Sequence, residues 1–116
     1  MPSTTRYKRG DVVLVPFPFT DLTSSKRRPA LVVSPDGFND QTQDLVVTAI
    51  TSQPSSEHAV AIEQIDCVDG MLPKPSVVKL AKVFMIHSTL VIRKLCRVRE
   101  EKLAAILAEL RGFFSQ

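Results

Sequence analysis

The chain has no tryptophan, one tyrosine, two cysteines and four glycines, and no apolar run approaches the roughly 20 residues a membrane-spanning helix requires. Each scarcity excludes something. The glycines are isolated and cannot form a phosphate-cradling loop, and neither CxxC nor HExxH occurs, so nucleotide-loop and zincin chemistry lack their motifs. Cys67 and Cys96 lie in apolar sequence without metal-ligand spacing and read as buried thiols in a reducing compartment. The start, Met1 to Arg9, has no apolar signal stretch, which predicts a cytoplasmic protein with no membrane partner. No fixed-period repeat suggests a solenoid.

What is present is ordinary in amount and uneven in placement. With 116 residues, 44% of them apolar, and a net charge of +3, the chain is too apolar for disorder and long enough for a single core. One domain over residues 1–116 is expected, with 1–8 as a flexible basic arm. The small net charge hides a partition: residues 1–30 carry six basic and two acidic groups, 31–76 one and seven, and 77–116 eight and three. Basic ends that meet in the fold would suit a polyanionic partner; scattered over a surface, the same charges would only solvate it.

The hydrophobic pattern has period two almost to the end. Val12 to Phe17, Ala30 to Val33, Leu45 to Thr51, Ala59 to Ile62, Ser76 to Ile86 and Leu90 to Val98 read as strands, with Thr20 to Arg28 as a mobile loop and Ser34-Pro35-Asp36-Gly37 as a turn. Leu45 to Thr51 has no polar face, as a strand inside a covered sheet requires. After Val98 the period becomes 3.6: Leu103, Ile106, Leu107, Leu110 and Phe113 share one face of a helix that Gly112 is expected to cap. Short strands sealed by one helix describe a mainly β protein, a small barrel of five to seven strands with a C-terminal amphipathic helix.

Few residues offer chemistry. Asp36, Asp40 and Asp44 are spaced by four in a turn-rich segment and read as hydrated surface acids. His58 and His87 could form an acid and base pair, but nothing in the sequence brings them together. The informative feature is Lys26-Arg27-Arg28-Pro29: proline holds the preceding Arg28 in extended geometry, and a fixed guanidinium fork suits a phosphate.

In that setting the chain resembles the MazF/PemK family of type II toxins. The resemblance rests on Arg9-Gly10-Asp11-Val12-Val13-Leu14-Val15, on Lys26-Arg27-Arg28-Pro29-Ala30-Leu31-Val32-Val33-Ser34, on Val47-Thr48-Ala49-Ile50-Thr51-Ser52-Gln53, and on Ser76-Val77-Val78-Lys79-Leu80, in that order. It implies an SH3-like barrel, a homodimer, and an endoribonuclease that cuts single-stranded RNA without metal or other cofactor and is held inactive by a small acidic antitoxin. Carried over residue by residue, it makes Arg28 and Thr51 catalytic and Lys79 a substrate contact. Lys26, Arg27, Ser52 and Gln53 become candidates for backbone and base contacts, and Phe17 or Phe19 a stacking platform.

The chemistry suits these types. RNA can be cut by its own 2′-hydroxyl attacking the adjacent phosphorus, so an enzyme need only align the groups, move protons and stabilise an added negative charge. The sequence also lacks the carboxylate cluster that a two-metal nuclease uses. One departure stands out: Ala81 occupies the place where some members carry a carboxylate, and no histidine lies in the first loop, so the general acid and base are unassigned. A non-cleaving binder on the same barrel is therefore the competing reading, either binding RNA or inhibiting gyrase. The related gyrase inhibitors act through a C-terminal tryptophan, which this chain lacks.

Overall fold

The computed structural model describes residues 6–17, 26–53 and 57–116, with Phe17 in its backbone alone. Seven strands, β1 (Asp11–Phe17), β2 (Lys26–Val32), β3 (Asp44–Thr51), β4 (Ala59–Ile62), β5 (Cys67–Val68), β6 (Ser76–His87) and β7 (Arg93–Val98), form one antiparallel sheet in the order β4-β6-β3-β2-β1-β7-β5. Among the described residues two α-helices accompany it, α1 (Asp36–Thr42) and α2 (Glu100–Phe114).

Strands β1 and β3 and the apolar end of β2 lack polar faces because the sheet is covered on both sides there. Along β1, Val12 belongs to an inner cluster with Leu31, Ile50 and Val78, while Val13 and Val15 belong to an outer cluster with Ala30, Val32 and Val47. Residues from both sheet edges, Ile62 of β4 and Cys67 of β5, reach the inner cluster, so the sheet curls around it. The chain passes between these edges through a single 3₁₀ turn, Gln64–Asp66, where the Asp66 carboxylate accepts from Glu63 N–H at 2.9 Å. Helix α2 seals the curl with fully buried Ile106, flanked by Leu103, Leu107 and Leu110. Enclosing a side chain of that size contributes about 1.5–3 kcal/mol. Tyr7, Phe84 and Val91 pack on the outer cluster.

Prolines shape β1 and β2 without breaking their pairing. Leu14 O accepts from Ile92 N–H at 2.8 Å, so the polar groups of Leu14 point toward β7 and away from β2. The Leu14↔Pro29 and Pro16↔Arg27 pairs are thus the non-hydrogen-bonded ones, and neither proline removes a bond between β1 and β2. This corrects the loop expected through Arg28: Lys26, Arg27 and Arg28 already pair with Phe17, Pro16 and Val15. Residues 18–25, with Phe19, lie outside the described residues, as do 1–5 of the expected N-terminal arm.

Three other expectations are revised. Asp36–Thr42 is a helix, held by a buried pair that a turn signal cannot reveal: Ser34 Oγ donates to Asn39 Oδ1, and Asn39 Nδ2 donates to Ser34 O at 3.2 Å. The strand expected from Leu90 starts at Arg93, since Ser88–Leu90 forms a 3₁₀ turn. Helix α2 runs through Gly112 to Phe114, and the position of a Gly112 Cβ has no neighbour within 4 Å. Gly112→Ala is therefore expected to stabilise the protein by about 0.5–1 kcal/mol in denaturant unfolding; a loss of stability would restore the cap.

Cys67 and Cys96 are buried free thiols on adjacent strands. Burial pushes Cys96 up to about 12, aided by its hydrogen bond with Cys67, and burial likewise raises Cys67. Both remain protonated and unreactive near neutral pH.

Candidate functional site

The site follows from strand register. Between β2 and β3, Ala30 faces Ala49, Leu31 faces Thr48 and Val32 faces Val47. The same register holds one step beyond, where Val33 N–H donates to Val46 O at 2.9 Å. In the other direction the next bonded pair would be Pro29 with Ile50, and proline has no N–H to give. The ladder ends at Ala30 with Ala49, and continuing its register would set Arg28 opposite Thr51. Strand alternation puts both side chains on the outer face that Ala30 and Ala49 share, just past the end of that ladder. Arg28 stays anchored from behind by its pairing with Val15. Thr51 Oγ1 accepts from Gln53 N–H at 3.2 Å, which leaves its own proton to donate.

On the other flank of β3, Thr51 pairs with Val77 and Ile50 with Val78 of β6. Val78 is buried in the inner cluster, so Val77 and Lys79 alternate to the outer face. Lys79 thus stands diagonally from Thr51, one strand beyond Arg28, and is half-buried. Lys26 shares the outer face with Arg28 at the open end of β2. Ser52 and Gln53 continue β3 as exposed residues.

Not every candidate joins this corner. Arg27 pairs with Pro16 and alternates to the opposite face from Arg28. The side chain of Phe17 lies outside the described residues. His58 stacks toward Phe113 of α2, with ring centroids 5.1 Å apart. His87 pairs with Asp44 at the far end of β3 from Thr51, seven residues or about 23 Å away, and its Nδ1 lies 2.8 Å from Thr89 Oγ1. Ala81 is an exposed residue of β6 and offers no group for proton transfer. Among the described residues, no three His, Cys, Asp or Glu side chains gather as a metal site.

The charge pattern narrows as well. Lys94 and Arg97 of β7 each lie 3.4 Å from Asp11 Oδ1, whose residue is 1% exposed and whose other oxygen accepts from Lys8 N–H. These cations neutralise a buried carboxylate at the start of β1, away from Arg28 near its end. The cationic corner comprises Lys26, Arg28 and Lys79, fewer groups than the basic ends suggested.

A curled antiparallel sheet sealed by one C-terminal helix places the protein among the small MazF-like barrels. Its fold matches an endoribonuclease from a mycobacterial species (TM-score 0.75, 20% identity, covering 97% of this chain and 94% of that one). It also matches a mycobacterial endoribonuclease solved with its cognate antitoxin (TM-score 0.73, 20% identity, 94% and 95%). MazF from Deinococcus radiodurans is a third match (TM-score 0.70, 20% identity, 95% and 97%). No curated protein sequence matches the chain. The model of the family described as PemK-like, MazF-like toxin of type II toxin-antitoxin systems matches residues 8–114, and the chain belongs to that family. No helix among the described residues is long and apolar enough to cross a membrane.

Proposed function

We propose that this toxin is a metal-independent endoribonuclease that cuts single-stranded RNA. The observation that carries the reading is that Arg28 and Thr51 share the outer face just past the end of the β2–β3 ladder, with Lys79 on that face diagonal to Thr51. A phosphate seated there receives the planar guanidinium of Arg28 and the hydroxyl of Thr51, while Lys26 and Lys79 hold the backbone on either side. The 2′-hydroxyl loses its proton and attacks phosphorus, the bond to the 5′-oxygen breaks, and that oxygen takes up a proton. The products are a 2′,3′-cyclic phosphate and a 5′-hydroxyl.

Arg28 stabilises the charge that grows on the phosphoryl oxygens, a role a single fixed donor fills at about 3 kcal/mol. Its guanidinium does not serve as a base at neutral pH. Ser52 and Gln53 extend from the same strand end toward exposed base edges. The whole chain acts as one domain in the cytoplasm, as a homodimer, under the control of a small acidic antitoxin that covers the cationic corner. Two of the similar folds support this reading, being an endoribonuclease and an endoribonuclease bound to its antitoxin.

The experiment is incubation of the purified protein with a mixed single-stranded RNA pool in excess EDTA, followed by end sequencing. Cleavage at short recurring sequences with 5′-hydroxyl ends is expected. Intact RNA throughout would refute the reading. The exposed Ala81 and the distant histidines favour a second one, a binder that holds RNA with strong salt dependence and never cuts it.

A further inference from the structure

The pairing of β3 with β6 runs in two registers. Thr51↔Val77 and Ile50↔Val78 belong to one; Thr48↔Val83, Val47↔Phe84 and the pairs on to Asp44↔His87 belong to the other. Between them a single residue of β3, Ala49, faces residues 79–82 of β6, three more than a regular ladder holds. An odd slip reverses which side chains face which way. In the second register Phe84 and Ile86 join the outer cluster, so an unbroken strand would send Val78 outward and Lys79 into the inner core. The bulge is what turns Lys79 to the face of Arg28 and Thr51.

A buried side chain of β3 bonds to the bulged stretch. Thr48 is fully buried, and its Oγ1 donates to the backbone carbonyl of Lys79 at 2.5 Å. Beyond the bulge, β4 holds the same stretch through Ala59↔Lys79 and the bond from Leu80 N–H to His58 O at 2.9 Å. On the β3 side, the Thr48 hydroxyl ties the backbone of the bulge to the strand it has slipped against.

We infer that Thr48 is a positioning residue for RNA binding, acting through Lys79. The inference rests on the proposed RNA-cleaving function and adds a residue that touches no substrate. Thr48→Val keeps the shape of the side chain and removes the donor, Thr48→Ser keeps the donor, and Thr48→Ala removes it with less bulk should the valine variant fail to fold.

The test is binding of each variant to a single-stranded RNA made uncleavable by 2′-deoxy substitution, measured across salt concentrations. Loss of one phosphate contact lowers the slope of log affinity against log salt by about 0.7 for a single strand. Lys79→Ala and Thr48→Val are each expected to show that loss, with roughly five- to tenfold weaker binding at low salt. The double variant should be no worse than either, and Thr48→Ser should match the parent. A residue that only stabilised the fold would lower the melting temperature and leave the slope of the folded protein unchanged. If Lys79→Ala lowers the slope and the Thr48 variants without a donor do not, the inference fails alone. If Lys79→Ala also has no effect, the assignment of Lys79 fails with it.

Discussion

Arg28→Ala is expected to lower RNA cleavage by about 10²–10³-fold, the loss seen when a single fixed electrostatic donor is removed from a reacting centre. Its melting temperature should remain within a few degrees of the parent. The backbone of Arg28 pairs with Val15 whatever its side chain, and the side chain is only half-buried at the end of a strand. Single-turnover cleavage beside thermal unfolding separates the two effects. Cleavage at the parental rate would remove Arg28 from the mechanism, and a large fall in melting temperature would reassign it to the fold.

Arg28→Lys sharpens the result. Lysine restores the charge but not the two-pronged donor, so it should recover RNA affinity more fully than cleavage rate. Equal recovery of both would mean that Arg28 contributes only to the local field.

The end of the β2–β3 ladder shows what was legible beforehand and what was not. The extended backbone before a proline, the unbroken apolar run of β3 and the helical period of α2 are local properties, and each element formed close to where its residues indicated. That Arg28 and Thr51 come to one face at the end of the same ladder depends on which strands pair and in what register, and no spacing along the chain encodes that. The charged start of β2 hides its strand character because its order comes from β1. Helix α1 rests on the buried Ser34 and Asn39 pair, and two-residue β5 on its pairing with β7. The turning of Lys79 toward the site depends on a slip of three residues in β6, which its apolar run does not betray. Arg27, equal to Arg28 in composition and loop context, falls on the opposite face through strand alternation alone.

The largest loss of stability is expected from Gly70→Ala, far from Arg28. Gly70 has φ of +141°, a region side chains rarely adopt, and a Cβ there would stand 2.0 Å from the carbonyl oxygen of Leu95 and 3.1 Å from Cys96 Cα. Both obstacles are backbone of β7, which cannot swing aside as a flexible side chain can. The same carbonyl accepts from Met71 N–H at 3.1 Å, and the turn also holds Gln64, whose side chain donates to Gly70 O at 3.2 Å and accepts from Leu72 N–H at 2.7 Å. Displacing Gly70 would break these bonds together, lift Leu72 and Cys67 from the inner cluster, and loosen the β5 edge of the curled sheet. A loss of about 3–5 kcal/mol follows, or a fall in melting temperature of about 10–20 °C for a domain of this size. Gly37→Ala is the control, because nothing lies within 4 Å of its added carbon. At a temperature where Gly70→Ala remains folded, its RNA cleavage should match the parent, since Arg28, Thr51 and Lys79 lie on β2, β3 and β6 and not on the β5 edge. Cleavage falling with stability in the folded protein would instead show that the β5 edge also sets the geometry of the site.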